Sequence, residues 1–483
     1  MGVLRIINII HEMLEFNLYT PAQIAQVQEQ RFRKLLRYAG ERSPFYRRLY
    51  KGFDLRNCKL TDLPAISKPE MMANYDSFVT DNRLRRNELR EWLADKSNLG
   101  KLYKGKFIPF QTSGTTGENA LVVYNRKGLD YAHAAVVARH AMEEEPDLRY
   151  QLRLLFKALF HYRHRMAMIV MDGGPYPAYT VCLYAPPTHK LFTKNQIYSL
   201  MDPTEALVEK LNQFQPHSMF SYPSILNILA REQLEGRLNI ALDEEISSLI
   251  SGSEPLSETT KLLAKRAWNR DIQDTYGTSE CIVMARACKN FHRMHVMSDL
   301  CILEIVDKSN RPVPDGQHGE KVLMTNLTNY LQPFIRYEIS DITGYSTEPC
   351  CRLPFPTLLP VEGRTDDIFY IDRPSGGYQA VHPYLFLGPI VELDEVKEYQ
   401  LVQSGRNEVT FNYVPITGAT GLDEKVRKVL EAGMGKSNLL DRISLKTIRL
   451  DDIPRDKKSG KFRQIISLVG APQDLDERER LSH

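Results

Sequence analysis

Three short apolar stretches between residues 217 and 280 each end in turn residues. "HSMFSYPSILNILAREQ" predicts a strand, a turn and a helix, while "EISSLISGSEP" and "RDIQDTYGTSE" each predict a strand followed by a loop. Short strands that alternate with helices are typical of an α/β fold with parallel strands. Ligands of such folds bind at the carboxyl ends of the strands. We therefore expect the loops after these strands to carry functional residues.

The length and the last part of the chain predict more than one domain. The chain has 483 residues, of which 42% are hydrophobic, and this is too long for one ordinary core. Near the end, "EVTFNYVP", "LDEKVRKVLEAG" and "ISLKTIRL" predict a strand, a helix and a strand, with Asp423 as the helix N-cap. This β-α-β unit is sufficient for a separate, small α+β domain.

Charge and cysteine content exclude several classes of protein. The net charge of +3 is nearly balanced, which argues against a dedicated nucleic-acid binder. Seven scattered cysteines, an odd number, argue against a disulfide framework and favour a reducing compartment, so we expect a cytoplasmic protein. We find no apolar run of about 18 residues and therefore expect no membrane span.

Three helices are predicted in the first third of the chain. Residues 20–50 have apolar residues at helical spacing, which Gly40 is expected to break, and a second helix is expected over 129–145. In "LRYQLRLLFKALFHYRHRM", Arg149, Arg153 and Lys157 form one helical stripe. The stripe is either a solvated face or a basic patch that meets phosphate groups or a membrane surface.

The stretch "QTSGTTGENA", residues 111–120, lies between two predicted strands and is too long for a tight hairpin turn. Its glycines and hydroxyl groups suit a loop that wraps phosphates, because small residues leave backbone N–H groups accessible. A flexible surface loop would have the same composition. The stretch alone does not decide between these two interpretations.

Six motifs in order resemble one family. "TSGTTGENA" resembles the phosphate loop of the adenylate-forming enzymes, which include acyl-CoA ligases, peptide-synthetase adenylation domains and luciferases. The other five motifs are "SGSEP", "YGTSE", "PFIRYEISDIT", "EGRTDD" and "PRDKKSGKFRQI". The N-terminal "RKLLRYAGERSPFYRRLY" is similar to phenylacetate–CoA ligase-like proteins and to the related deazaflavin-coenzyme adenylylating enzymes. The ordered set is far more specific than any single motif.

The resemblance implies a domain organisation and a reaction. A large N-terminal α/β domain, residues 1–365, would bind ATP and a carboxylic acid, and a small mobile C-terminal α+β domain, residues 366–483, would carry the catalytic lysine. The acid would attack the α-phosphate of ATP to form an acyl-adenylate and release pyrophosphate. A thiol, above all that of coenzyme A, would then displace AMP. This is the reaction of an AMP-forming acid–thiol ligase.

The resemblance also implies the roles of individual residues. The residues expected to hold the phosphates of ATP are Thr112, Ser113, Gly114, Thr115, Thr116 and Gly117. Those expected around the adenine, the ribose and the α-phosphate are Ser253, Glu254, Pro255, Tyr276, Gly277, Thr278, Ser279, Asp341 and Arg364. Glu280 corresponds to the Mg²⁺ ligand, Lys461 to the adenylation lysine, and Asp366 to the hinge about which the C-terminal domain rotates. Arg336 fits the family pattern and equally fits a structural ion pair.

The substrate and the acceptor are less constrained than the nucleotide site. An aromatic or otherwise small acid is expected near Tyr131, Tyr222, Pro223 and Ser224, although tyrosines at such positions are more often part of a core. The phosphate loop ends in Glu118-Asn119 rather than Pro-Lys, and "IFYIDRPSGGYQAVHPYLF" after the hinge motif is longer than the family pattern. An amine or a carrier-protein thiol is therefore an alternative acceptor to CoA. A non-catalytic nucleotide-binding protein is an alternative of another class, and a homodimer is compatible with the sequence.

A structural zinc ion is a further expectation of the resemblance. Some relatives have a Cys and a His near "CKNFHRMHVMSD" and a Cys-x-Cys before the hinge motif, which correspond here to Cys288, His295, Cys350 and Cys351. Thiolate and imidazole ligands suit tetrahedral Zn²⁺. The adjacent cysteine pair departs from the pattern, and His292 competes with His295. The alternative is a set of buried cysteines beside a surface histidine. The other cysteines are expected to be structural: Cys58, Cys182, Cys281 and Cys301.

Overall fold

The structure is a computed structural model. It describes residues 2–112, 120–139, 164–186, 193–199, 202, 204–242, 248–288, 293–348, 350–361, 369–374, 378–381, 393, 395–416, 421–436, 439–454 and 465–469. The described α-helices are α1 Gly2–Phe16, α2 Pro21–Arg42, α3 Pro44–Leu49, α4 Lys68–Ala73, α5 Tyr75–Phe78, α6 Arg86–Ala94, α7 Arg126–Ala138, α8 Pro177–Leu183, α9 Thr204–Phe214, α10 Pro223–Leu234, α11 Glu258–Trp268 and α12 Leu422–Lys436. Two short 3₁₀ helices cover Leu60–Asp62 and Lys96–Asn98.

The strands follow in chain order. They are β1 Phe107–Gln111, β2 Leu121–Asn125, β3 His164–Val170, β4 Thr193–Ser199, β5 Ser218–Ser221, β6 Leu249–Gly252, β7 Ile272–Tyr276, β8 Ala285–Ala287, β9 Met294–Val296, β10 Cys301–Val306, β11 Lys321–Asn326, β12 Tyr337–Ile339, β13 Thr357–Leu358, β14 Phe369–Asp372, β15 Tyr378–Val381, β16 Val396–Gly405, β17 Glu408–Pro415, β18 Ser444–Arg449 and β19 Ile465–Ser467.

An eight-stranded sheet in the order β13-β9-β8-β7-β6-β5-β3-β4 forms the centre of the first unit. Five neighbouring strands of this sheet, β7, β6, β5, β3 and β4, are parallel. Strands β8, β9 and β13 continue the sheet in antiparallel pairs. The carboxyl ends of the five parallel strands therefore meet at one edge. This confirms the predicted α/β fold with its parallel strands.

One face of this sheet is filled by an apolar core. Side chains that alternate along the central strands, such as Met219, Leu249 and Ile272, pack with α9, α10 and α11. The antiparallel hairpin β1–β2 and the three-stranded sheet β10-β11-β12 contribute to a second core with α2 and α3. A third core joins α1 and α7, and Ile9, Met13 and Ala135 are among its residues.

The chain divides into two compact units, Met1–Ile339 with Thr343–Val361, and Ser340–Ile342 with Glu362–His483. In the second unit, β17 and β18 are parallel and α12 connects them, which confirms the predicted β-α-β unit. The predicted domain boundary at 365/366 stays a prediction, because residues 362–368 lie outside the described residues. Among the helices in the described ranges, none is both long and apolar enough to cross a bilayer.

Two local predictions need correction. Gly40 does not break the N-terminal helix, since α2 continues to Arg42; the break comes at Ser43, because the following Pro44 disfavours helical backbone at the residue before it. Asp423 is not an N-cap but lies in the first turn of α12, where it accepts a hydrogen bond from the Tyr413 hydroxyl.

The two helices predicted between residues 129 and 166 also have different bounds. The first, α7, already begins at Arg126 and is described to Ala138. The second was expected over "LRYQLRLLFKALFHYRHRM", but His164 to Met166 belong to β3. The basic stripe Arg149, Arg153 and Lys157 lies outside the described residues.

Candidate active site

The predicted phosphate loop joins β1 to β2. The backbone N–H of Thr112 donates to the Ala120 carbonyl at 2.9 Å, and the N–H of Ala120 donates to the Thr112 hydroxyl oxygen at 2.9 Å. The first bond extends the antiparallel ladder of β1 and β2, and both bonds hold the two ends of the loop together. Residues 113–119, which include Ser113, Gly114, Thr115, Thr116 and Gly117, lie outside the described residues. Their role in phosphate binding stays a prediction.

The "SGSEP" motif occupies the carboxyl end of β6. Ser253 has a φ of +74°, a left-handed conformation that costs free energy for a residue other than glycine. A Cβ atom at Gly252 would lie 3.1 Å from the Thr275 carbonyl oxygen, so the last residue of β6 requires a small side chain. Glu254 and Pro255 follow directly, at the edge where the parallel strands end.

The "YGTSE" motif forms a tight loop after β7. The N–H of Thr278 donates to the Cys281 carbonyl at 2.9 Å, and the N–H of Cys281 donates back to the Thr278 carbonyl at 3.2 Å. A Cβ atom at Gly277 would lie only 2.0 Å from the Ile282 carbonyl oxygen, so no residue other than glycine fits without displacing the loop. The close backbone approach places Ser279 and Glu280 beside the end of β7, where Tyr276 is buried.

Glu280 is held at both its side chain and its backbone. The Tyr337 hydroxyl donates to its Oε1 at 3.0 Å. The Tyr124 hydroxyl, at 2.9 Å, and the Asn326 amide, at 2.8 Å, both donate to its carbonyl oxygen. Burial and the neighbouring Glu280 charge raise the pKa of Tyr337, which therefore remains a donor at neutral pH.

This arrangement fits a magnesium ligand, because a carboxylate oxygen on a fixed loop is a hard donor with a defined direction. Sequence reasoning missed the three residues that hold it. Tyr337 lies within the quoted "PFIRYEISDIT" motif, and Asn326 is a polar residue at the end of an apolar strand. Sequence reasoning also missed the contact between Ser251 and Asp274, in which the Ser251 hydroxyl donates to Asp274 Oδ1 at 2.6 Å. Burial raises the pKa of Asp274.

Of the other residues predicted to bind the nucleotide or act in catalysis, only Asp341 lies among the described residues of the second unit. Asp341 is buried there. Arg364, Asp366 and Lys461 lie outside the described residues. Their roles stay predictions.

The predicted substrate residues are placed in two locations. Tyr222 and Pro223 begin α10, and Tyr222 is buried at the end of β5. Burial and the charge of the Glu254 carboxylate raise the pKa of Tyr222. Tyr131 instead packs in the core of α1 and α7, with the Arg31 guanidinium 5.6 Å from its ring centroid. The side chain of Ser224 lies outside the described residues.

Arg336 is part of a structural network. Its Nε donates to Glu304 Oε2 at 3.0 Å, and its Nη1 donates to the Thr61 carbonyl at 3.2 Å. The residue is buried and has a φ of +50°. These contacts favour the structural ion pair over a direct role in ligand binding.

Four side chains that could bind a metal converge in the first unit. One ligand atom from each of Cys288, His295, Cys350 and Cys351 lies within 4.8 Å of all the others. The Sγ atoms of Cys288 and Cys350 are 3.5 Å apart, and Sγ of Cys351 is 3.4 Å from Nε2 of His295. Donor atoms around tetrahedral zinc are about 3.5–3.8 Å apart, given bonds of about 2.3 Å to sulfur and 2.0 Å to nitrogen. The four residues therefore fit a zinc ion.

The surroundings of His295 support the same conclusion. Its Nδ1 lies 3.0 Å from the Phe355 carbonyl oxygen, a contact that places the ring proton on Nδ1 and leaves Nε2 to face the thiols. His295 is only 1% exposed, so the alternative of a surface histidine is wrong for this residue.

Adjacent Cys350 and Cys351 both reach the cluster. Burial and the Cys288 thiol raise the pKa of Cys350 to about 12, a penalty that a divalent cation would remove.

Comparisons with known proteins find similarity to AMP-binding enzymes. The profile of the AMP-binding enzyme family matches residues 107–326. The chain is 25% identical to a phenylacetate-coenzyme A ligase of Thermus thermophilus, over 92% of this chain and 97% of that protein. It is also 25% identical to a phenylacetate-coenzyme A ligase of Aromatoleum evansii, over 72% of each chain.

The fold is that of a solved ligase structure. A crystal structure of 2-hydroxyisobutyryl-CoA ligase in the postadenylation state superposes with a TM-score of 0.65 over 96% of this chain and 93% of that chain, at 16% identity. That enzyme in an open conformation gives a TM-score of 0.54, at 18% identity, over 91% and 90% of the two chains. Residues 107–326 thus match the AMP-binding enzyme family, and the chain is a distant homologue of phenylacetate-coenzyme A ligase over most of its length.

Proposed function

We propose that this adenylate-forming enzyme activates an aromatic or small carboxylic acid with ATP and transfers the acyl group to the thiol of coenzyme A. The observation that carries the proposal is the Tyr276–Glu280 loop. Gly277 allows a backbone approach that no other residue permits, and Tyr337 holds the Glu280 carboxylate at the end of the parallel strands. A relative named for this chemistry matches 92% of the chain, which supports the choice of CoA.

The first half-reaction needs charge neutralisation rather than a general base. A carboxylic acid is ionised at neutral pH, so its oxygen is already the nucleophile. It forms a bond to the α-phosphorus of ATP while the bond from that phosphorus to the pyrophosphate oxygen breaks. Glu280 would hold Mg²⁺, which supplies positive charge to the phosphates when bound. Ser279 and the loop after Thr112 would donate hydrogen bonds to phosphate oxygens.

Four further residues complete this half of the proposal. Lys461 would place a cation between the α-phosphate and the substrate carboxylate as negative charge develops there. Asp341 would accept hydrogen bonds from the ribose hydroxyls, and Arg364 would contact the ribose or a phosphate. Asp366 would act as the hinge for a domain rotation that removes Lys461 after the first step.

In the second half-reaction, the CoA sulfur would form a bond to the acyl carbon as the bond to the AMP oxygen breaks. The products are a thioester and AMP. An amine or a carrier-protein thiol is a second candidate acceptor, because the loop after the hinge motif, "IFYIDRPSGGYQAVHPYLF", is longer than the family pattern. We further propose that Cys288, His295, Cys350 and Cys351 hold a structural Zn²⁺.

The test is pyrophosphate release with ATP, Mg²⁺ and a panel of aryl and short acids, with hydroxylamine to trap the acyl-adenylate. Acid-dependent release that Lys461→Ala abolishes is the expected result. Lys458→Ala, in the same basic segment, is the matched control and should remain active. ATP binding without release for any acid would favour a non-catalytic nucleotide-binding protein. CoA, amines and carrier proteins are then compared as acceptors that release AMP.

A further inference from the structure

The segment 33–59 is far more basic than the chain as a whole. It contains nine Lys or Arg residues and two acidic residues, whereas the whole chain has 63 and 60. The segment covers the second half of α2, all of α3 and the turns that follow α3. Six of its exposed cations, which we call the basic surface, are Lys34, Arg37, Arg42, Arg47, Arg48 and Lys51.

Contacts between these elements make the basic surface continuous. Arg47 Nη2 donates to the Glu41 carbonyl at 2.5 Å, which holds α3 against the end of α2. Arg33 Nη1 donates to the Cys58 carbonyl at 2.6 Å, so the turns after α3 return along the side of α2. The cations of the two helices and of the turn therefore lie on adjoining parts of one surface.

The charge of the basic surface is not neutralised by the part of the chain that the structure describes. Arg33, beside it, forms an ion pair with Glu29, but no ion pair within the described residues is found for any of the six cations. Arg47 donates to a backbone carbonyl, and Arg48 donates to the Ser77 hydroxyl oxygen at 3.2 Å. Exposed cations with neutral acceptors keep their attraction for an external anion.

The basic surface is connected to the candidate active site through buried aromatic rings. Tyr46 of α3 has its ring centroid 5.3 Å from that of Phe78, and Phe78 lies 5.9 Å from Phe334. The Phe334 ring lies 5.1 Å from that of Tyr337, whose hydroxyl donates to Glu280. Three ring contacts thus join α3 to the loop at which the acyl-adenylate is expected, so a partner docked on α3 is close to that loop.

We propose that the basic surface docks an acidic carrier protein whose phosphopantetheine thiol accepts the activated acyl group. This inference rests on the proposed function and concerns the second candidate acceptor named there. The thiol sulfur forms a bond to the acyl carbon while the bond from that carbon to the AMP oxygen breaks. The thiol proton passes to the solvent, and a thioester and AMP result.

The chemistry of the reaction favours a carrier protein over other polyanions. Nucleic acids and anionic membranes would also be attracted to six exposed cations. Only a carrier protein, however, brings the thiol that the second half-reaction uses. Phe53, which is 38% exposed and lies two residues after Lys51, adds an aromatic contact of the kind enriched in protein interfaces. Opposite charges across such an interface speed the encounter and select the partner.

The first experiment measures binding of an apo-acyl carrier protein, which has no thiol, by fluorescence polarisation. We expect binding at low ionic strength that weakens as salt is added, because exposed charges are screened. Arg37→Glu should weaken it by about tenfold, since it sets like charges opposite each other. Lys308→Glu is the matched control: Lys308 is also exposed, has no ion pair among the described residues and lies outside the basic surface. Absence of wild-type binding, or equal losses in the two variants, would overturn the inference.

The second experiment compares acyl transfer to the holo-carrier protein with transfer to CoA. Arg37→Glu should lower kcat/KM for the carrier protein by about tenfold, mainly through KM, and change that for CoA by less than twofold. Equal losses with both acceptors would assign the surface to CoA and overturn the inference. Vesicles of phosphatidylcholine and phosphatidylserine in equal parts and a DNA duplex are tested in the same binding assay. Tighter binding of either than of the carrier protein would also overturn it.

The two experiments separate this inference from the proposed function. If no acid supports pyrophosphate release, the proposed function fails, but carrier-protein binding that Arg37→Glu weakens would still support the docking surface. If acids are activated and CoA is acylated, while the carrier protein is neither bound nor acylated, the proposed function stands and the inference fails.

Discussion

The Tyr337 hydroxyl donates a hydrogen bond of 3.0 Å to the carboxylate of Glu280, and both side chains are buried. The backbone carbonyl of Glu280 also accepts hydrogen bonds, which fix the location of the residue. The hydrogen bond from Tyr337 therefore decides the direction of the carboxylate. A carboxylate with a fixed direction binds a cation without first losing rotamer freedom.

Tyr337→Phe should therefore lower acid-dependent pyrophosphate release and raise the Mg²⁺ concentration needed for half-maximal rate. Loss of one hydrogen bond to a charged group is worth about 1.5–3 kcal/mol, which corresponds to roughly 10- to 100-fold in kcat/KM. The measurement is a Mg²⁺ titration of pyrophosphate release. Tyr345→Phe is the control, because it removes a 2.8 Å hydrogen bond to the Leu303 carbonyl without involving Glu280. The same Mg²⁺ dependence in both variants would contradict the assigned role of Tyr337.

Gly277→Ala should displace the loop that carries Ser279 and Glu280, since the new Cβ would lie 2.0 Å from the Ile282 carbonyl oxygen. We expect a loss of adenylation of about 100-fold or more, because small misplacements of reacting groups are costly. Rates and thermal unfolding are measured together. Gly435→Ala, where a Cβ meets nothing within 4 Å, should leave both unchanged or slightly raise stability. Wild-type activity in Gly277→Ala would show that the loop tolerates the shift.

The four converging ligand atoms of Cys288, His295, Cys350 and Cys351 predict one zinc per chain in the purified protein. Elemental analysis measures it. Cys351→Ser and His295→Ala should each reduce the zinc content strongly, because each removes one of four ligands. Cys58→Ser is the control, since that thiol is half-buried and outside the cluster. Fully folded protein that contains no zinc, although the expression medium contained zinc, would rule out the site.

Removal of the metal should also loosen the N-terminal helix α1. The carbonyl of Phe355 contacts His295, and the Arg139 guanidinium lies 4.5 Å from the centroid of the Phe355 ring and donates to the Met13 carbonyl. We expect faster proteolysis within residues 2–16 after chelation, since this chain of contacts joins the cluster to α1. The rate is followed by mass spectrometry with and without chelator. An unchanged cleavage rate in zinc-depleted protein would show that the metal cluster does not stabilise α1.

Asp299→Asn should destabilise the first unit by about 3–5 kcal/mol, because it leaves a buried guanidinium without its counter-charge. Arg139 Nη2 lies 3.2 Å from Asp299 Oδ2, and both side chains are fully buried. Urea unfolding measures the free energy. Asp307→Asn, which affects an exposed pair with Arg311, should change it by less than about 1 kcal/mol. Equal effects of the two substitutions would argue against a special role for burial.

The amino-acid sequence by itself determined the strands and the motifs that follow them, and the order of those motifs indicated the family. "SGSEP" and "YGTSE" were placed at the ends of strands because apolar runs followed by small residues carry a local signal, and β6 and β7 end where expected. The β-α-β unit near the end of the chain was likewise predicted from periodicity. These features depend on near neighbours in the sequence, so local patterns are sufficient to find them.

Tertiary structure alone decided the contacts between residues distant in the chain. Glu280 and Tyr337 are 57 positions apart, so no local pattern signals their hydrogen bond, and His295 could not be distinguished from a surface histidine until Phe355 was placed beside it. Burial and pairing are properties of the packed chain, because they depend on what the fold brings together rather than on what precedes or follows a residue.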